Sequence, residues 1–177
     1  MTPQSPILLS IIGTHADEDI NKILERKIND IERAYYTFWM YRSFKAKPNQ
    51  VKENKPMMVY FIEPSKPGGA SPTKKSDKAN YFSNDRKEWI PMRSNISPVT
   101  GNINSSSIAL ILDKLERCNN RFINLTSYSE LGSMNPIRFQ LGASTICALI
   151  NKEFHKEEKM RKVVAIGRVV NCVWLKK

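Results

Sequence analysis

The pattern of apolar and polar residues near the start of the chain predicts a strand followed by a long helix. The run Ile7–Ile12 is continuously apolar, as in a strand that is buried on both faces. After Gly13, apolar residues recur at helical spacing from Asp17 to Tyr41, with charged residues between them. Thr14 and Asp17 have the spacing of a capping box at the start of this helix. A buried strand that leads into a long helix is typical of an α/β unit.

The later segments extend this interpretation to the whole chain. Met57–Ile62 is a second continuous apolar run, and we expect it to pair in parallel with the first strand across a right-handed crossover. Residues 108–115 fit either a helix or a strand, and we favour a helix. Ser144 is the predicted N-cap of a helix that runs to Lys159. Residues 163–175 read as a strand pair or as one bulged strand. Together these elements predict one α/β domain, with a mainly parallel central sheet flanked by helices.

A long segment at about residues 64–106 separates the second predicted strand from the rest of the domain. It is rich in glycine, proline, serine and lysine, and long irregular segments in compact domains are usually functional loops or disordered. We expect this basic loop to lie over the carboxyl edge of the first two strands. Tyr81, Phe82 and Trp89 in the loop could stack on nucleic-acid bases, or they could anchor the loop to the core.

The net charge of +11 is concentrated in two regions of the chain. Residues 42–93 have twelve basic and five acidic side chains, a net charge of +7, and residues 150–177 have eight against three, a net charge of +5. If the two regions adjoin, they form a basic face suited to a nucleotide or a nucleic acid. The alternative is a solvated surface that has no partner.

Apolar content and cysteine usage indicate the compartment. No segment approaches the roughly 20 apolar residues that a membrane-spanning helix needs, and no secretory signal is apparent. Cys118, Cys147 and Cys172 are odd in number and widely spaced, which favours neither a disulfide framework nor a zinc site. Cys147 has apolar neighbours, so a buried structural thiol is favoured over a nucleophile. We predict a cytoplasmic protein with reduced thiols and no membrane contact.

The turn Gly142–Thr145 is the better of two candidate phosphate sites. It has the order strand, glycine, hydroxyl residue and helix, in which backbone N–H groups and the positive helix end point towards an anion. At the other candidate, Gly13, the acidic residues that follow would repel an anion. Ser144 could also act only as a helix cap. The predicted ligand-binding residues belong to the basic loop, to this turn or to its upstream flank: Lys66, Thr73, Lys74, Lys75, Arg138, Ser144 and Thr145.

Two residues are candidates for acid–base chemistry. His15 follows the first predicted strand and Glu63 follows the second. Ligands of open α/β sheets bind at the carboxyl ends of the strands, where these two side chains would meet. A histidine and a carboxylate at that edge could transfer protons to and from a substrate.

Three functions are consistent with these residues. The favoured one is binding of a phosphate-bearing ligand, a nucleotide or a nucleic acid, by the basic loop and the Gly142–Thr145 turn. The second is an enzyme that processes a nucleotide or a small phosphorylated substrate with His15 and Glu63. The third is a non-catalytic protein-interaction module whose basic face meets an acidic protein.

Overall fold

The computed structural model describes residues 5–14, 18–41, 47–65, 81–96, 103, 107–135, 137, 145–150 and 159–176. Strands dominate these residues, which contain nine β-strands, two α-helices and a short 3₁₀ helix at Leu125–Ser127. In chain order the other elements are β1 (Ile7–Ile11), α1 (Ile20–Ala34), β2 (Thr37–Tyr41), α2 (Pro48–Glu53), β3 (Met57–Ile62), β4 (Tyr81–Ser83), β5 (Ile90–Pro91), β6 (Ile108–Asn124), β7 (Tyr128–Glu130), β8 (Thr145–Ile150) and β9 (Met160–Lys176).

The predicted α/β fold with a mainly parallel sheet is wrong. The described strands form one mixed, largely antiparallel sheet in the order β2-β6-β9-β3-β1-β8-β7, and β4 pairs with β9 and with β5. Within the described ranges, β1 and β3 are the only parallel neighbours. Their predicted pairing is therefore confirmed, with Leu8 beside Val59 and Ile11 beside Ile62. The protein is predominantly β, and the helices do not flank a parallel sheet.

The helix predicted from Asp17 to Tyr41 is confirmed only for Ile20–Ala34. Asp19 is its N-cap, and one carboxylate oxygen accepts a hydrogen bond from the backbone N–H of Lys22 at 2.9 Å. The chain then forms β2, which pairs with β6. Residues 37–41 are aromatic, β-branched or methionine, and aromatic and β-branched side chains suit a pleated surface. Pairing with β6 therefore overrides the helical spacing of the apolar residues.

Two further predictions of a helix are wrong over the residues that the structure describes. Residues 108–115 belong to β6, a 17-residue strand whose first five residues are all buried. The helix predicted to begin at Ser144 is also wrong, because Thr145–Ile150 form β8 and pair with β1 and β7. A run of consecutive apolar residues is compatible with a buried helix or a buried strand, and the long-range partners decide between them. The closing segment is confirmed as one bulged strand, β9.

Strand β9 is an interior strand of the sheet, with β6 on one side and β3 on the other. On one face of the sheet, Ile23 and Leu24 of α1 pack with Val59, Phe61 and other buried strand residues. A second apolar cluster is formed by other residues of the same strands and includes Leu9, Ile62 and Val163. The last residues of β1 and β3 contribute to both clusters, Phe61 to the first and Ile11 and Ile62 to the second, so this edge of the sheet is packed on both faces.

A buried lysine joins α1 to the end of the sheet. Lys27 is 7% exposed, and its side-chain nitrogen donates a hydrogen bond to the backbone carbonyl of Phe38 in β2. Asp30, one turn further along α1, accepts from the Thr37 hydroxyl at 3.0 Å and from Arg33 at 3.1 Å. Polar side chains of α1 thus fix its position against β2.

The C-terminus of α1 gives a prediction about stability. Tyr35 ends the helix with φ of 70°, and its side chain is 77% exposed. A left-handed backbone costs an L-residue about 1–2 kcal/mol, whereas glycine adopts it without this penalty. We expect the free energy of unfolding of the Tyr35→Gly variant to be about 1 kcal/mol higher than that of the Tyr35→Ala variant, as measured by urea denaturation. The alanine variant is the control because it removes the same side chain, and equal stabilities would contradict the prediction.

Candidate nucleotide site

A cleft of about 600 Å³ lies where β1 and β3 end. Five parts of the chain line it: Thr14 after β1, the first turns of α1, residues 63–64 after β3, a segment of β6 and the facing segment of β9. The lining residues are Thr14, Asp19, Ile20, Asn21, Leu24, Glu63, Pro64, Arg117, Cys118, Asn119, Lys162 and Val164. Its volume is within the range of small-molecule sites, about 300–1,000 Å³.

A wide bulge in β6 forms one wall of the cleft. Arg117 lies opposite Ala165 and Arg121 lies opposite Val163, so three residues of β6 face a single residue of β9. Asn120 in this bulge has φ of 52°, a left-handed conformation that asparagine tolerates better than most residues. Bulges redirect side chains and occur often beside active sites. The irregular segment therefore brings Arg117, Cys118 and Asn119 to the cleft.

The guanidinium group of Arg117 is held by the first turn of α1. It donates to the side-chain oxygen of Asn21 at 3.1 Å and to the backbone carbonyl of Asn21 at 3.1 Å. A guanidinium group has five N–H donors, so donors remain for a further acceptor. Asn21 thus orients a cation in the lining without neutralising its charge.

Strand β9 is tied directly to the end of β3. The Arg161 side chain donates to the backbone carbonyl of Glu63 at 2.8 Å, and the backbone N–H of Glu63 donates to the carbonyl of Lys162 at 3.0 Å. These bonds fix the backbone on both sides of Lys162, whose side chain lines the cleft. Glu63 also lines it, at the sheet edge where the sequence places it. Its catalytic role stays a prediction.

Cationic residues are frequent in the parts of β6 and β9 that form the cleft wall, and two of them, Arg117 and Lys162, line the cleft. The basic end is defined here as the five cationic residues at the end of the β6–β9 ladder, namely Arg117, Arg121, Lys159, Arg161 and Lys162. Among the residues that the structure describes, none of the five forms an ion pair. Asp19 and Glu63 are the carboxylates in the lining. Asp19 is the α1 cap, and neighbouring Glu18 is bonded to Arg26 at 2.7 Å. The basic end therefore keeps an excess of positive charge that attracts anions.

Only two of the nine site residues predicted from the sequence are among those described, and the structure places them in different surroundings. Glu63 lines the cleft, whereas Thr145 is fully buried in β8 and its hydroxyl group is 2.9 Å from the hydroxyl group of Ser10. Because β8 is a strand, the expected helix N-terminus after Ser144 is absent there. The other seven residues lie outside the described ranges: His15, Lys66, Thr73, Lys74, Lys75, Arg138 and Ser144.

The described aromatic side chains of the predicted loop act as anchors. Phe82 packs edge-on against Phe38, with ring centroids 5.4 Å apart. The Lys176 ammonium group lies 5.2 Å from the centre of the Trp89 ring. Strands β4 and β5 also occur within this predicted loop, and β4 pairs with β9. These contacts support the alternative that Phe82 and Trp89 hold the segment to the body.

The cysteines and carboxylates limit the chemistry of the cleft. Cys118 lines it, but burial raises the pKa of its thiol, and this effect exceeds the opposing effect of nearby Arg121. Burial also raises the pKa of Cys147 to about 11, which agrees with the predicted structural thiol. Within the described residues, no group of three or more histidine, cysteine, aspartate or glutamate side chains is arranged to hold a metal ion.

Sequence and structure comparisons identify no relative for this chain: no family model matches it, and neither does any curated protein or solved structure. None of the helices in the described ranges has the length and apolar character needed to cross a membrane.

Proposed function

We propose that the chain binds a nucleotide in the cleft, with the phosphate groups at Arg117 and Lys162. The observation that carries this proposal is the pair of basic-end cations in the lining of a nucleotide-sized cleft, Arg117 and Lys162, neither of which has a carboxylate partner among the described residues. Charge-assisted hydrogen bonds from arginine and lysine are the strongest contacts that a protein side chain makes with phosphate.

The carboxylates in the lining support a nucleotide over a simple phosphate ion. Asp19 and Glu63 line the same cleft as the two cations. Carboxylates accept hydrogen bonds from sugar hydroxyl groups and from base amino groups, but they repel phosphate. A ligand with a phosphate at one end and hydroxyl or amino groups at the other matches this mixed lining. Lys66 stays a candidate contact, because Pro64 lines the cleft and Lys66 is two residues further along the chain.

Turnover of the bound ligand is a second candidate function, and the position of Glu63 in the lining favours it. A carboxylate beside a bound phosphate ester could act as a general base towards water or a hydroxyl group. Assays of phosphate release from ATP, with Glu63→Gln as the comparison, separate this enzyme from a binding protein. Equal release by both chains and by buffer alone would remove turnover from the proposal.

Titration calorimetry with ATP tests the binding proposal. We expect Arg117→Gln and Lys162→Gln each to weaken ATP binding by about tenfold or more, because each removes a charge-assisted hydrogen bond worth about 1.5–3 kcal/mol. Lys114→Gln is the matched control: it removes an exposed positive charge from β6 that pairs with Glu116 at 3.3 Å and lies outside the cleft. Equal affinities of the wild-type chain and both cleft variants would overturn the proposal.

The proposal also includes a reducing compartment. Cys118, Cys147 and Cys172 are all free thiols, and two of them are buried. Thiols persist where glutathione and thioredoxin keep them reduced, as they do in the cytoplasm. Fractionation of cells that express the tagged chain measures its location directly.

A further inference from the structure

An exposed apolar patch lies beside the cations of the cleft. Phe122 in β6 is 55% exposed and Met160 in β9 is 52% exposed. The neighbour of Phe122 along the strand, Ile123, is 7% exposed and belongs to an apolar cluster. The strand is therefore anchored at this point, and the exposure of Phe122 follows from the face on which it lies.

The register of the sheet places this patch on the same face as Lys162. Phe122 is directly opposite Lys162 in the ladder, and Asn124 is directly opposite Met160. Directly opposed residues of antiparallel strands share a face, with Cβ atoms about 4.5–5.5 Å apart. Residues two apart along a strand also share a face, so Met160 and Lys162 do. The aromatic ring of Phe122, the thioether of Met160 and the ammonium group of Lys162 thus share one face of the sheet. We term Phe122 and Met160 together the apolar platform.

We infer that the apolar platform stacks against the base of the nucleotide whose phosphate groups lie at Lys162 and Arg117. The inference rests on the proposed function and adds a specificity element to it. The apolar platform lies beside the cation Lys162, and this arrangement matches a nucleotide. A nucleotide has a flat base on one side of its sugar and an anionic phosphate on the other. Stacking on an aromatic ring is possible for every base, and sulfur makes favourable contacts with aromatic rings as well. The platform therefore selects base-containing ligands over inorganic phosphates and does not read the identity of the base by hydrogen bonding.

The same chemistry fits a free nucleotide or the phosphorylated end of a single strand. The probes that distinguish these sources are ATP, inorganic tripolyphosphate, and a ten-residue oligonucleotide with and without a 5′-phosphate. Tripolyphosphate has the anionic part of ATP without the base, so it reports on the cations alone. Tighter binding of the phosphorylated oligonucleotide than of ATP would identify a strand end as the ligand.

The decisive variants are Phe122→Ala and Phe122→Trp, studied in the full chain by titration calorimetry. We expect Phe122→Ala to weaken the binding of the base-containing ligand by about tenfold and to leave tripolyphosphate binding unchanged. Phe122→Trp should retain or improve affinity for that ligand, because it keeps an aromatic face. Met58→Ala is the control, since it removes an exposed apolar side chain from β3 outside the cleft. Thermal unfolding verifies that each variant is folded.

Each outcome separates this inference from the proposed function. If Phe122→Ala leaves the affinity for the base-containing ligand unchanged, or lowers that for tripolyphosphate equally, the platform is overturned. If wild-type chain binds tripolyphosphate as tightly as ATP and both oligonucleotides weakly, the platform is overturned while the phosphate site stands. If the wild-type chain binds none of the probes, the proposed function and the platform are both overturned.

Discussion

Replacing Gly167 with alanine is expected to lower the free energy of unfolding by about 2–3 kcal/mol. Gly167 is in the central strand β9, between β6 and β3. A Cβ atom at this position would lie 2.5 Å from Cδ2 of Leu112 and 3.0 Å from Cγ1 of Val59. Both neighbours are fully buried, and the carbonyl oxygen of Lys114 would be only 3.1 Å away. Since a packed interior has little free space, the Leu112 side chain must leave its packed position or the strands must separate locally.

Urea unfolding of Gly167→Ala against Gly132→Ala measures this effect. Gly132 has φ of 95°, and nothing would lie within 4 Å of an added Cβ atom. Its replacement therefore costs only the strain of a left-handed backbone, roughly 1 kcal/mol. The two variants make the same chemical change, and they differ in whether the new methyl group has space. A smaller loss for Gly167→Ala than for Gly132→Ala would show that the sheet accommodates the methyl group.

The stability of the protein is expected to rise with pH between about 7 and 8.5. Burial, together with nearby Arg26, lowers the pKa of Lys27 to about 7, although Asp30 and Glu18 oppose this. In the unfolded chain the lysine titrates near 10.4. Between these values the unfolded chain binds more protons than the folded one, so the free energy of unfolding increases with pH. The limiting slope for one group is about 1.4 kcal/mol per pH unit.

Chemical denaturation at pH 6, 7, 8 and 8.5 determines this slope, with Lys27→Met and Lys22→Met as the comparison. Lys27→Met removes the titrating group and should flatten the dependence of stability on pH. Lys22→Met replaces an exposed lysine of the same helix and should leave that dependence unchanged. The range stops at pH 8.5 because burial raises the pKa values of Cys147 and Cys172 to about 11 and 12. Those thiols ionise earlier in the unfolded chain, so they make stability fall at higher pH. Parallel profiles for the wild type and Lys27→Met would show that Lys27 is protonated in the folded protein at neutral pH.

Local patterns predicted those elements whose apolar spacing has a single interpretation. The spacing of Ile23, Leu24 and Ile28 identifies α1, and the two short apolar runs that end at Ile12 and Ile62 identify the parallel pair. The first half of β6 has no such distinguishing period, because its consecutive apolar residues suit either element. Its strand form depends on β2 and β9, which flank it on both sides. The predominantly antiparallel sheet follows from these long-range pairs, which local spacing does not encode.

The candidate site was predictable at one position and missed at others. Glu63 was identified because it directly follows a buried strand. Arg117 and Lys162 were missed, since they come together only through the β6–β9 ladder and its bulge. A signal was present in Asn119 and Asn120, because adjacent asparagines favour turns and left-handed backbone and are unusual inside a strand. Read that way, they predict an interruption of β6 beside Arg117.

The bond from Lys27 to the Phe38 carbonyl has a consequence for association between copies of the chain. Strand β2 lies at the end of the sheet path, and an edge strand with unpaired backbone groups is a template for intermolecular pairing and aggregation. The Lys27 side chain donates a hydrogen bond to one of its carbonyl oxygens, that of Phe38. An incoming strand that paired through this carbonyl would have to displace that bond. The helix that packs on the sheet therefore also discourages β2 from recruiting a second molecule.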